Sequence, residues 1–97
     1  MSVRNLEPKE MWNHFADLNA VPRPSKKEER VIQFMIDFGK SLGLETKTDA
    51  IQNVIIKKPA SPGMEDRKTV ILQSHLDMVC QKNNDTNFDF ETQGIIM

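Results

Sequence analysis

The residues best equipped for chemistry stand together in Gln73-Ser74-His75-Leu76-Asp77, directly after the apolar run Thr69-Val70-Ile71-Leu72. Ser74, His75 and Asp77 have the composition of an acyl-transfer triad. Adjacent strand residues point to opposite faces, however, so Ser74 cannot reach His75, and serine chemistry is set aside. The same two-residue period puts His75 and Asp77 on one face, with α-carbons roughly 6–7 Å apart by strand rise. In open α/β sheets ligands gather at the carboxyl ends of strands, which is where His75 would sit. A neutral imidazole there suits a zinc ion. A carboxylate two residues on can orient the ring or act on metal-bound water. By spacing alone, a hydrogen-bonded histidine closing a strand accounts for His75 better than a metal ligand does, because one histidine is one ligand.

Those residues need a scaffold, and the chain upstream supplies one. Pro8 is placed as a first helical residue, and Met11, Trp12, Phe15 and Leu18 recur at helical spacing until Pro22 and Pro24 forbid continuation. Ser25-Lys26-Lys27-Glu28 fits a capping box that opens a second helix, in which Val31, Ile32, Met35, Phe38 and Leu42 mark the buried face. Gly43 supplies the left-handed residue that commonly ends a helix. Thr46, Thr48 and the run Asn53 to Lys57 then read as two strands around a turn at Asp49 to Gln52. Residues 59–68, with Pro59, Ser61, Pro62, Gly63 and four charges, form a surface loop. Thr69 to Leu72 reads as a strand covered on both faces. Past Asp77 the chain turns polar at Gln81 to Asn87, and it stops in the apolar run Gly94-Ile95-Ile96-Met97, which reads as an interrupted element. Two helices and about three strands make an α/β fold whose sheet is short of its usual strand number.

Composition sets the outer bounds. The 97 residues are 38% apolar and 28% charged, enough for one small domain with a modest core. Thirteen Lys and Arg against 14 Asp and Glu leave a net charge of -1, so there is no electrostatic footprint for nucleic acid or an anionic membrane. No apolar signal core or spanning stretch is present, and the single cysteine, Cys80, suits a reducing compartment; a cytoplasmic location follows as the default. Cys80 itself is read as a buried, inert thiol. Asn83, Asn84, Asp85 and Asp89 lack the order of a calcium loop and read as a solvated turn. Arg23, Lys26, Lys27 and Arg30, offset by Glu28 and Glu29, read as a solvated face. His14 is read as structural or exposed, and Trp12 with Phe15 as core.

Ser74-His75-Leu76-Asp77-Met78-Val79, followed by Gln81-Lys82-Asn83-Asn84-Asp85-Thr86 and Asp89-Phe90, resembles the amino-terminal signature of bacterial aminoacyl-histidine dipeptidases, within the zinc peptidases related to aminoacylases and glutamate carboxypeptidases. The similarity extends over Pro8 with Trp12 and Phe15, Pro22 with Pro24-Ser25, Glu28-Glu29, Asn53, Lys58-Pro59-Ala60, Gly63-Met64-Glu65 and Arg67-Lys68. The resemblance implies that residues 1–97 are the amino-terminal portion of a three-layer αβα metallopeptidase catalytic domain. It implies two zinc ions activating water against a dipeptide substrate, with His75 as a metal ligand and Asp77 as the catalytic carboxylate that holds that arrangement in place. The other ligands would lie beyond Met97, so this portion alone would be inactive, since a catalytic zinc needs about three protein ligands. Exposed sheet edges and helix faces lead us to expect self-association into a homo-oligomer. Two departures stand out: Gln52 occupies a position where relatives often have glycine, and Cys80 one where some carry proline. Two other readings stay open, a non-catalytic binding module that keeps a peptidase-like front end and an amidohydrolase of the same fold acting on acylated amino acids.

Overall fold

Met11, Trp12, Phe15 and Leu18 do share a helix. In the computed structural model, which describes residues 2–95, α1 runs Lys9–Asn19 after a short 3-10 helix at Val3–Asn5. Pro8 stands one residue outside α1 with extended backbone, φ -72° and ψ 131°, and α1 closes at Ala20 just ahead of Pro22. Arg4 folds back onto the helix and bonds Asp17 at 2.7 Å and Asn13 at 3.3 Å.

The second helix, α2, spans Glu29–Ser41, so it begins later than the capping box predicts. Lys26 has φ 68°, a left-handed conformation that no right-handed helix accommodates. It sits in a tight turn closed by Lys27 N–H donating to the Pro24 carbonyl at 2.9 Å. The reciprocal box is therefore absent: Glu28 caps α2 by position, its carboxylate accepts from Lys26 N–H at 2.9 Å, and the Ser25 hydroxyl is free to bond elsewhere. The other end follows the expectation. Gly43 adopts φ 71°, Gly43 N–H donates to Lys40 C=O at 2.9 Å and Leu44 N–H to Gly39 C=O at 3.0 Å, the paired bonds of a Schellman stop.

β1 (Glu45–Thr48) and β2 (Val54–Lys57) form the expected antiparallel hairpin, in register from Glu45 opposite Lys57 to Thr48 opposite Val54. Val54 and Ile56 are half-buried while Ile55 points outward, the period of a strand covered on one face. The covering element is α2. Its Gly39 is buried so closely on the hairpin that a β-carbon there would lie 2.2 Å from Thr46 Oγ1 and 3.1 Å from Ile56 Cγ1. The two helices also meet through His14 and Phe38, whose rings stack edge-to-face at 5.2 Å. Among the described residues the buried apolar side chains are few, Ala16, Pro24 and Val31, and Phe15 remains 47% exposed rather than joining them.

The third strand does not form among the described residues. Val70, Ile71 and Leu72 are 79%, 85% and 92% exposed, and the sheet has two strands where about three were expected. A strand is held by hydrogen bonds to a neighbour, and no described segment lies alongside this one. At the other end of the chain, Ile95 N–H donates to Asn19 C=O at 2.7 Å. Ile96 and Met97, half of the apolar run read as an interrupted element, lie outside the described residues. Part of the basic cluster is engaged rather than merely solvated: Lys27 pairs with Glu91, and Arg30 donates to the Glu91 carbonyl at 3.2 Å.

Candidate functional site

The site is assembled by two stretches far apart in sequence. The interhelix segment around Arg23, Pro24 and Ser25 lies parallel to Leu76, Asp77 and Met78, joined by a single bridge between Pro24 and Met78. Met78 N–H donates to Arg23 C=O at 2.8 Å, and Ser25 N–H donates to Met78 C=O at 3.1 Å. The Arg23 guanidinium reaches the Leu76 carbonyl at 3.4 Å and the Asn19 side-chain oxygen at 3.3 Å. This clasp half-buries Leu76, Asp77 and Met78, although the apolar run before them is exposed.

Within the clasp His75 and Asp77 come together. His75 Nδ1 lies 2.9 Å from the Asp77 carbonyl oxygen and 3.1 Å from Asp77 Oδ1. Both partners accept only, the carboxylate being ionised, so the hydrogen belongs on Nδ1 and the neutral ring carries its lone pair on Nε2. Nε2 has no partner among the described residues, and the His75 side chain is 81% exposed. The second carboxylate oxygen, Asp77 Oδ2, accepts a 2.5 Å hydrogen bond from the Ser25 hydroxyl. That bond, above all, holds the Asp77 carboxyl below the usual carboxylate range; burial opposes it, and the hydrogen bond with His75 adds a smaller lowering. Chemically, the arrangement is an imidazole with a fixed tautomer whose outward nitrogen can donate a lone pair to a Lewis acid.

The structure thus brings together the two residues singled out by sequence, though not for the reason spacing suggested. Strand alternation is absent at this point. The pair meets because the His75 ring turns back onto the main chain and side chain of the residue two positions on. Ser25, which the sequence reading spent on helix capping, and Arg23, read as part of a solvated face, both contact this segment. No local pattern announces either contact, since Ser25 and Asp77 are 52 positions apart. Cys80 departs from the buried thiol expected: it is exposed. The Asn83 turn is as expected, closed by Thr86 N–H on Asn83 C=O at 3.0 Å. Among the described residues no three His, Cys, Asp or Glu side chains converge as a metal-binding group. The larger surface recess, about 360 Å³, lies between Met78, Val79, Thr86, Phe88, Phe90 and Ile95 and includes neither His75 nor Asp77. Lys82 also lines it, with no paired titratable group beside it among the described residues.

No family model matches the chain. It is 46% identical over 93 residues to the cytosol non-specific dipeptidase of Escherichia coli (strain K12), an alignment that takes in 96% of this chain and 19% of that protein. The crystal structure of aminoacylhistidine dipeptidase from Vibrio alginolyticus superposes with a TM-score of 0.92 at 42% identity, over 98% of this chain and 19% of that one. The chain therefore spans about a fifth of the length of the relatives it matches. Among the described residues no helix is long and apolar enough to cross a membrane. In sequence and in backbone this chain resembles the aminoacyl-histidine dipeptidases, and its fold is that of a portion of their α/β architecture.

Proposed function

We propose that this chain is part of the catalytic domain of a cytoplasmic zinc dipeptidase acting on aminoacyl-histidine dipeptides, with His75 as a metal ligand and Asp77 as the carboxylate that governs it. The observation that carries the proposal is the Nδ1 contact with both Asp77 acceptors, which leaves Nε2 of an exposed ring to carry the lone pair. The donor fits: a neutral imidazole whose other nitrogen is held by a carboxylate is the usual form of a zinc-bound histidine. When bound, zinc would supply Lewis acidity toward a peptide carbonyl and toward water. His75 contributes the nitrogen that holds the ion. Asp77 keeps the proton on Nδ1, so the lone pair stands on Nε2. One imidazole is not a catalytic site, which needs about three protein ligands, so the proposal assigns the remaining ligands to polypeptide outside these residues.

The experiment is an assay of the whole protein on aminoacyl-histidine dipeptides and on dipeptides without histidine, beside His75→Ala and Asp77→Asn. The expected result is hydrolysis that His75→Ala abolishes and Asp77→Asn lowers about 10- to 100-fold. Undiminished turnover by His75→Ala would remove His75 from the mechanism.

A further inference from the structure

We infer that Ser25 is a positioning residue for the His75–Asp77 pair, holding the carboxylate from the side opposite the imidazole. The inference rests on the reading of His75 as a metal-binding imidazole only for its consequence, not for its geometry. Asp77 offers two oxygens, and each has one directed partner: Oδ1 faces His75 Nδ1 at 3.1 Å, and Oδ2 accepts from Ser25 Oγ at 2.5 Å. A carboxylate bonded on one side alone turns about its Cβ–Cγ bond, a soft torsion with broad minima. Bonded on both sides, it keeps the plane in which Oδ1 meets the ring. An exposed histidine has little else to fix its orientation, so the torsion of Asp77 decides how firmly Nδ1 keeps its proton.

The backbone around Ser25 fits this task. Ser25 N–H is tied to Met78 C=O at 3.1 Å, one residue past the carboxylate, and the Ser25 hydroxyl also lies 3.3 Å from that carbonyl. Lys26 next to it takes φ 68°, and its N–H is met by the Glu28 carboxylate at 2.9 Å. Holding a lysine in the left-handed region is unfavourable, and such strain persists where the surroundings over-determine it. Here the strained turn is what takes Ser25 out of the helix and sets it against Asp77. A serine used as a helix cap would have its hydroxyl on a backbone amide; this one has it on a carboxylate 52 positions away.

The test reads the imidazole directly. Protein labelled with nitrogen-15 histidine is compared as wild type, Ser25→Ala, Ser25→Thr and Ser25→Cys by long-range proton–nitrogen correlation of the ring, at one pH above the histidine titration. His14, on α1 and in contact with Phe38, serves as the internal reference. The wild type is expected to show the Nδ1–H tautomer at His75. Ser25→Ala shifts those signals toward a mixture of tautomers with His14 unmoved; Ser25→Thr, which keeps the hydroxyl, restores them; Ser25→Cys, a weak donor, falls between. If Ser25→Ala fails to fold, the Thr and Cys pair still carries the comparison. His75 signals identical in Ser25→Ala and wild type overturn the inference, as does a Ser25→Thr protein that behaves like Ser25→Ala. Zinc affinity of the whole protein forms a separate arm, with a loss of about 10- to 100-fold expected for Ser25→Ala and wild-type affinity for Ser25→Thr. A tautomer shift with unchanged zinc affinity supports the positioning role and counts instead against His75 as the metal ligand.

Discussion

Gly39→Ala makes the packing of α2 on the hairpin measurable. In an isolated helix this change would be favourable by about 1 kcal/mol, because glycine loses more backbone freedom on folding. In this protein the added carbon would sit 2.2 Å from Thr46 Oγ1, with Ile56 Cγ1 and Cδ1 at 3.1 and 3.2 Å. None of these atoms gives way freely, since Thr46 Oγ1 donates to Leu44 C=O at 3.2 Å and both residues are half-buried in the hairpin's inner face. Overpacking of this kind costs about 1–3 kcal/mol. Set against the propensity gain, the net expectation is a loss of about 1 kcal/mol. Urea denaturation followed by circular dichroism measures it. A double-mutant cycle identifies the cause: with Thr46→Ala the clash is relieved, and Gly39→Ala should then become neutral or stabilising. A Gly39→Ala protein more stable than wild type in the original background would refute the packing argument.

Gln52, with φ 68°, occupies a left-handed position in the hairpin turn, so Gln52→Gly should stabilise by up to about 1 kcal/mol, seen as a higher urea midpoint; an unchanged or lower midpoint would show that the turn stores no strain. Asp49 accepts from Asn53 Nδ2 at 2.8 Å and from the backbone N–H of Ile51 and Asn53 at 3.0 and 2.9 Å, and the Asn53 side chain, chiefly, holds its carboxyl below the usual range. A depressed folded-state pKa means stability that is present above the ordinary carboxyl value and lost as pH falls through the folded one. Thermal stability should thus drop from about pH 4 downward, less steeply in Asp49→Asn; equal acid sensitivity of the two proteins would contradict this.

How much of this was legible depends on the range of the interaction. α1, α2, the Gly43 stop and the hairpin are set by residues within a few positions of one another, and periodicity and turn chemistry located them. The capping box failed because two local solutions compete for Ser25. The hydroxyl could cap the helix or meet Asp77, and only the tertiary clasp decides between them. The strand at Thr69 to Leu72 failed for the opposite reason: its apolar run predicts burial, and burial needs a neighbour that the described residues do not supply. Gly39 carries no pattern of its own, since the reason for a glycine there is the side chain of Thr46. His75 and Asp77 were found through their residue types and the family resemblance, while the contact that joins them came from local main-chain geometry.

The central claim is that His75 presents Nε2 to a metal while Asp77 holds Nδ1. It is tested most directly by anomalous diffraction at the zinc edge from crystals of the whole protein grown with zinc. The account predicts a zinc ion bonded to His75 Nε2 with Asp77 still on Nδ1. Zinc bound through Nδ1, or a fully loaded enzyme in which His75 touches no metal, would contradict it.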